Sequence, residues 1–199
     1  MSDARTPRNL ERLIAAAALI GIVASGVSRI LAGENGVLGV WPFLFGFFTI
    51  WVNALVALVY GLRWRGGFMR GLAVTMIVLV GLVYHFQLSH LRELRDLWQW
   101  TGNALTHYAV PVVVLLDWLW FGPRTVRWRW AAYWLSFSLL YTVFAVLRGT
   151  LTGTYVYPFL DVGTLGWRGF GLSVATMSAG FLIIGLIMVA VRKGIARLR

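Results

Sequence analysis

Long apolar runs, separated by short polar segments, dominate the chain from end to end. A helix needs about 20 mostly apolar residues to cross a hydrocarbon core about 30 Å thick. Six runs reach that length, and they cover roughly residues 13–32, 43–62, 69–89, 102–121, 128–148 and 169–191. Each run is apolar on nearly all sides, which is typical of helices that face lipid. The pattern predicts an all-α, polytopic membrane bundle of six transmembrane helices in a single domain, residues 1–199.

The composition supports this fold class. Of the 199 residues, 59% are hydrophobic and 13% are charged, whereas a soluble domain carries about 25% charged residues. A soluble globular protein is therefore excluded. The chain has no cysteine, which also excludes disulfide bonds, thiolate metal sites and cysteine nucleophiles.

The net charge of +11 would indicate a nucleic-acid partner in a soluble protein, but in a membrane protein basic residues report topology. Thirteen of the 18 basic residues fall on one side of the six predicted spans. The other side holds only Arg29, Arg92, Arg95, Arg148 and Arg168. This asymmetry predicts that both termini are cytoplasmic and that nucleic acid is not a partner. The preference for arginine over lysine indicates a bacterial chain, so we expect the inner (plasma) membrane.

Polar residues inside the predicted spans gather in the outer half of the membrane. Such residues are energetically costly in lipid, so their positions are informative. Thr49 falls about six residues into the second span, and Asn53 follows one helical turn deeper on the same face. The other polar residues in this layer come from four further spans: Arg29, His85, His107, Tyr141 and Arg148. Sequence alone gives them a common depth, not mutual contact.

Several chemistries lack the residues that they need. The chain has no phosphate-binding glycine loop, no dinucleotide fingerprint and no metalloprotease helix motif. It has only three histidines, at positions 85, 90 and 107, so no metal site is expected. Asp117 lies about 15 Å along its helix from His107, and we expect it to pair with the arginines at 124–129.

Three functions remain open on these grounds. The first is nucleophilic catalysis by a hydroxyl group that histidine activates. The second is haem binding, with His85 and His107 as axial ligands on adjacent helices. The third is a lipid-binding protein without catalytic activity.

Two motifs resemble one known family. Residues 152–161 read TGTYVYPFLD, which closely resembles a signature of the androgen-induced and androgen-dependent integral membrane hydrolases. The fourth span carries a second match, with His107, Pro111 and Asp117 in the order that the family shows. The number of spans also fits, so the resemblance extends over nearly the whole chain.

The resemblance implies a threonine hydrolase that cleaves lipid esters, notably fatty acid esters of hydroxy fatty acids, and that needs no cofactor. It implies Thr49 as the nucleophile and His107 as the general base. Their roughly equal depths agree with this mapping. For the oxyanion of the tetrahedral intermediate, the candidate donors are Asn53, His85, Tyr141 and Arg148. Arg29 or Arg148 could instead bind a fatty-acid carboxylate, with Asp161 holding the arginine. The expected partners are a lipid ester and the surrounding membrane lipids.

Overall fold

Seven helices build the part of the chain that this computed structural model describes, residues 6–34, 36–91 and 93–198. No strand occurs in these residues. Arg92, which entered the charge count, lies outside them. The helices are α1 (Arg8–Leu31), α2 (Gly36–Leu44), α3 (Phe48–Gly61), α4 (Gly67–Leu91), α5 (Leu97–Phe121), α6 (Arg129–Thr152) and α7 (Val162–Leu198). α7 departs from regular helix at Gly166, where φ is +64°.

The helices have the lengths and the apolar character of membrane spans. Among the described residues, α1, α4, α5, α6 and α7 are each long and apolar enough to cross a bilayer, and α2 with α3 makes a sixth span if the bent pair is counted as one. Their positions follow the six apolar runs of the sequence. The chain is therefore an all-α membrane protein, as the hydrophobic pattern predicts.

The second predicted span is not one straight helix. α2 and α3 meet at an angle of 86°. A Cβ atom at Gly46, in the bend, would lie 2.9 Å from the carbonyl oxygen of Phe43 and 3.1 Å from Cζ of Arg148, so the bend leaves no room for a side chain. The hydroxyl of Tyr141 donates a hydrogen bond to the carbonyl of Gly46 (2.6 Å). The depth predicted for Thr49 assumed one straight helix, whereas Thr49 is the second residue of α3, just after the bend.

α4 lies at the centre of the bundle and packs against α3, α5, α6 and α7. Two indole groups connect helices in this core by hydrogen bonds to backbone carbonyls. The ring nitrogen of Trp134 on α6 donates to the carbonyl of Phe68 on α4 (3.0 Å). That of Trp118 on α5 donates to the carbonyl of Met188 on α7 (3.2 Å). Both rings are fully buried, so the core forms around two large aromatic side chains.

The basic segments meet at one end of the bundle. Arg63 pairs with Glu11 (2.9 Å), and Arg192 donates to backbone carbonyls at the end of α5. Asp117 pairs with Arg70 (3.0 Å), a partner that the charge pattern did not predict. The hydroxyls of Thr6 and Tyr60 also donate to Asp117, each at 2.7 Å. The bend between α2 and α3 lies toward the opposite end.

Candidate active site

The first turn of α3 faces the middle of α5 and brings the predicted nucleophile and base together. The hydroxyl oxygen of Thr49 lies 3.4 Å from Nε2 of His107, which is at the long end of the hydrogen-bond range. Catalytic hydrogen bonds are often long before substrate binds. His107 is 9% exposed and Thr49 is half-buried. The contact is thus shielded from bulk solvent.

His107 lies on a widened, π-helical turn of α5 that spans Leu105–Ala109. Pro111 follows four residues after His107 and has no N–H group, so the carbonyl of His107 receives no regular helical hydrogen bond from it. Widened turns of this kind often occur at functional sites. Here the turn places residues 106 and 107 toward α1 and α3.

The hydrogen bonds of Thr106 define the orientation of the His107 ring. The Thr106 hydroxyl must donate to the carbonyl of Gly102 (2.7 Å), because a carbonyl oxygen only accepts. Its oxygen then accepts from Nδ1–H of His107 (3.0 Å). In the neutral ring this tautomer leaves a lone pair on Nε2, the atom that faces Thr49. The ring is therefore oriented to accept the Thr49 proton.

Two further side chains hold the pair in place. Tyr84 on α4 stacks on the His107 ring, with ring centroids 3.8 Å apart and an interplanar angle of 24°. Asn53, fully buried, donates to the carbonyls of Thr49 (2.9 Å) and Thr106 (3.3 Å). Asn53 thus connects α3 to α5 at the level of the site. Its amide hydrogens are used in these contacts, so it is not available as an oxyanion donor.

Thr49 forms part of the wall of two cavities. The first has a volume of about 70 Å³, and its lining is almost entirely apolar. It runs between α3, α4, α6 and α7, and its lining includes Phe48, Leu79, Val83, Tyr157, Met177 and Phe181. The second cavity lies on the other side of Thr49 and contains polar groups, among them Ser25, Arg29, Thr106 and His107.

The remaining predicted residues take other positions. His85 is exposed, faces the hydroxyl of Tyr108 (3.5 Å) and lines neither cavity. Tyr141 lines the apolar cavity, but its hydroxyl donates to Gly46, so it holds the bend. Arg148 is near the carbonyl of Thr154 (3.4 Å) and lines neither cavity. The structure therefore does not bring these three to the Thr49–His107 contact as donors.

Arg29 and Asp161, the two charged residues expected together at a site for a fatty-acid carboxylate, have different partners. Arg29 reaches the polar cavity, forms an ion pair with Glu34 and lies over the ring of Phe43 (4.3 Å). Among the residues that the structure describes, Asp161 pairs with no arginine. It accepts hydrogen bonds from the backbone N–H (3.1 Å) and the hydroxyl (2.7 Å) of Thr164, which makes it the N-cap of α7.

The geometry gives haem little support. Both ring nitrogens of His107 contact threonine hydroxyls, while His85 is exposed beside Tyr108. Among the described residues, no group of three or more His, Asp or Glu side chains could hold a metal ion.

Sequence reasoning missed three residues of the site. Thr106 and Tyr84 orient His107, and Tyr157 lines the apolar cavity beside Thr49. Tyr157 lies within the TGTYVYPFLD motif, so the motif could have indicated that Tyr157 belongs to the site. Thr106 gave no signal, because threonines in membrane helices commonly bond to their own backbone.

Comparisons of this chain with protein-family models, with curated proteins and with solved structures found no match.

Proposed function

We propose that this protein is an intramembrane hydrolase of lipid esters, with Thr49 as the nucleophile and His107 as the general base. One observation carries the proposal: the Thr49 hydroxyl faces Nε2 of a histidine whose tautomer Thr106 defines, at the edge of an apolar cavity. The same two residues match the threonine and the histidine of the hydrolase family that the sequence resembles. Hydroxyl, base and orienting acceptor are the parts that nucleophilic acyl transfer requires.

The reaction would proceed in two acyl transfers. Nε2 of His107 takes the Thr49 proton while the threonine oxygen bonds to the ester carbonyl carbon, and the carbonyl electron pair moves to the oxygen. The tetrahedral intermediate collapses with loss of the alcohol, which takes the proton from His107. Water then attacks the acyl-threonine with His107 again as the base, and the fatty acid leaves. The neutral acceptor Thr106 takes the place that a carboxylate has in many hydrolases.

The two cavities fit the two parts of such an ester. The apolar cavity is suited to an acyl chain, which is already dissolved in the membrane. The polar cavity contains His107, which must protonate the leaving alcohol, and Arg29, which could bind a carboxylate on that part. Fatty acid esters of hydroxy fatty acids have this distribution of groups. We assign the protein to the inner (plasma) membrane of a bacterium, with the site in the outer half.

The test is turnover of a panel of lipid esters by purified protein, together with labelling by a serine/threonine-hydrolase probe. Thr49→Ala and His107→Ala should each abolish turnover and labelling while the bundle stays folded. Two control variants should keep both: Thr150→Ala, whose hydroxyl bonds its own helix on the exposed surface, and His85→Ala. Labelling of Thr49→Ala at the level of the unmodified protein would refute the nucleophile. A colourless protein without a Soret band would eliminate haem.

A further inference from the structure

A tetrahedral intermediate on Thr49 would need hydrogen-bond donors for its negative oxygen, and the described residues offer them at one place. α3 begins next to Thr49, and the first N–H groups of a helix have no partner within the helix. Phe47 and Ile50 donate to backbone carbonyls in the turn. The N–H groups of Phe48 and Thr49 make no such backbone hydrogen bond among the described residues. They point out of the start of a 14-residue helix, where its dipole favours negative charge.

The side chain of Tyr157 reaches the same place from the loop between α6 and α7. It is 8% exposed and lines the apolar cavity with Thr49. Its hydroxyl lies close to the Thr49 side chain and to the backbone N–H groups of Phe48 and Thr49. The ring is fixed by Phe47, edge to face at 6.2 Å, and by Phe159, stacked at 5.0 Å. The phenol is therefore held rigidly beside the helix start.

Burial raises the pKa of Tyr157, so its phenol stays protonated and able to donate. Two other polar side chains near Thr49 are already committed. Asn53 donates to two carbonyls and Tyr141 donates to Gly46. Tyr157 is left as the side-chain donor at the start of α3, where its hydroxyl lies within hydrogen-bond reach of the N–H groups of Phe48 and Thr49.

We propose that the Tyr157 hydroxyl, with the backbone N–H groups of Phe48 and Thr49, binds the oxyanion formed when Thr49 attacks an ester carbonyl. The proposal rests on the hydrolase function above and makes Tyr157 a catalytic residue of it. No covalent bond to Tyr157 forms. As the threonine oxygen bonds to carbon, the carbonyl electron pair becomes the charge that the phenol and the two N–H groups stabilise, and it returns when the alcohol leaves. Such donors act mainly in the transition state.

The experiment compares Tyr157→Phe with Tyr155→Phe, a matched control in the same loop whose ring packs on Gly149 away from both cavities. Loss of one oxyanion donor lowers kcat by about 10²–10³-fold. We expect that loss for Tyr157→Phe with KM within about threefold, and unchanged kcat for Tyr155→Phe. A trifluoromethyl ketone lipid, which forms an oxyanion on the threonine, should lose affinity in parallel with kcat/KM. A non-hydrolysable ether analogue should bind as before.

The outcomes separate this proposal from the function on which it rests. If the unmodified protein turns over no ester, or if Thr49→Ala is active, the hydrolase proposal fails. If Thr49→Ala is inactive but Tyr157→Phe keeps kcat within threefold, only the oxyanion assignment fails. If Tyr157→Phe loses affinity equally for the ether and the ketone, the role of Tyr157 is purely structural, and the oxyanion assignment is again overturned. If Tyr157→Phe does not fold, fluorinated tyrosine at position 157 replaces it, and an unchanged affinity for the ketone would overturn the assignment.

Discussion

The hydroxyl oxygen of Thr106 lies 3.0 Å from Nδ1 of His107, the next residue in the chain, and the same hydroxyl donates to Gly102. A helix normally directs adjacent side chains about 100° apart, so this contact depends on the widened turn at Leu105–Ala109. The contact gives His107 a fixed tautomer through a hydroxyl acceptor.

Thr106→Val should therefore impair catalysis without disturbing packing. Valine preserves the shape and the contact with α1 but cannot accept from Nδ1–H. We expect kcat to fall by about 10- to 100-fold, a part of what general-base catalysis contributes, with little change in KM. Thr106→Ser, which retains the hydroxyl, should recover most of the rate. Steady-state kinetics on the ester panel measures kcat and KM for both variants. Equal kcat values for Thr106→Val and Thr106→Ser would contradict the positioning role of Thr106.

Arg29 should recognise charge on the substrate. Arg29→Met should raise KM about 10- to 100-fold for an ester with a free carboxylate on its alcohol part, because a charge-assisted hydrogen bond is lost. The methyl ester of the same lipid should show no change. Glu34 pairs with Arg29, so Glu34→Gln should lower KM for the acid. Parallel changes for acid and methyl ester would show that Arg29 does not bind the carboxylate.

The close approach of α1 to α5 should be intolerant of side chains. A Cβ atom at Gly21 would lie 2.7 Å from Cγ2 of Thr106. Gly21→Val should thus push α1 away from Thr106, lower the unfolding temperature in detergent and weaken probe labelling of Thr49. Gly171→Ala is the matched control, because no atom lies within 4 Å of its added carbon. We expect that variant to unfold at or slightly above the original temperature.

The buried pair of Arg70 and Asp117 should stabilise the fold from a position remote from the site. Their side chains are 10% and 1% exposed. Arg70→Ala leaves the Asp117 carboxylate buried without its ion-pair partner, which costs about 3–5 kcal/mol. Thermal unfolding should report this loss, while the folded fraction keeps its kcat. Arg95→Ala, which breaks an exposed pair with Glu93, should have no measurable effect.

The cap of α7 should make stability depend on acid pH. Hydrogen bonds from Thr164 lower the pKa of the Asp161 carboxyl. A group with a lowered pKa in the folded state stabilises the fold above its unfolded pKa, about 3.9, and loses that effect as pH falls through the folded pKa. Asp161→Ala should thus lower the unfolding temperature at pH 7. The difference from the unmodified protein should shrink below about pH 4, and a constant difference would contradict the cap.

The spans could be predicted from sequence, because lipid requires long apolar helices and the chain has six apolar runs. The bend could not. Residues 43–62 are uniformly apolar, and the interruption at Gly46 depends on contacts with Arg148 and Tyr141, over 90 residues away along the chain. Thr49 and His107 were predicted from depth and resemblance. Which of His85, His107 and Arg148 faces Thr49 depends on how each helix is rotated about its own axis. A helix that is apolar on all sides does not indicate that rotation in its sequence.

The bend at Gly46 also means that the stability of the fold and the proposed activity make opposite demands on this segment. In a continuous helix through residues 43–62, the N–H groups of Phe48 and Thr49 would donate to carbonyls one turn earlier, so the segment would be better bonded in lipid. The existing fold forgoes some of those bonds at the start of α3. Substitutions that straighten this segment should therefore be found among stabilised variants, and they should be the ones that lose the proposed chemistry. A screen for thermal stability alone would select against the site.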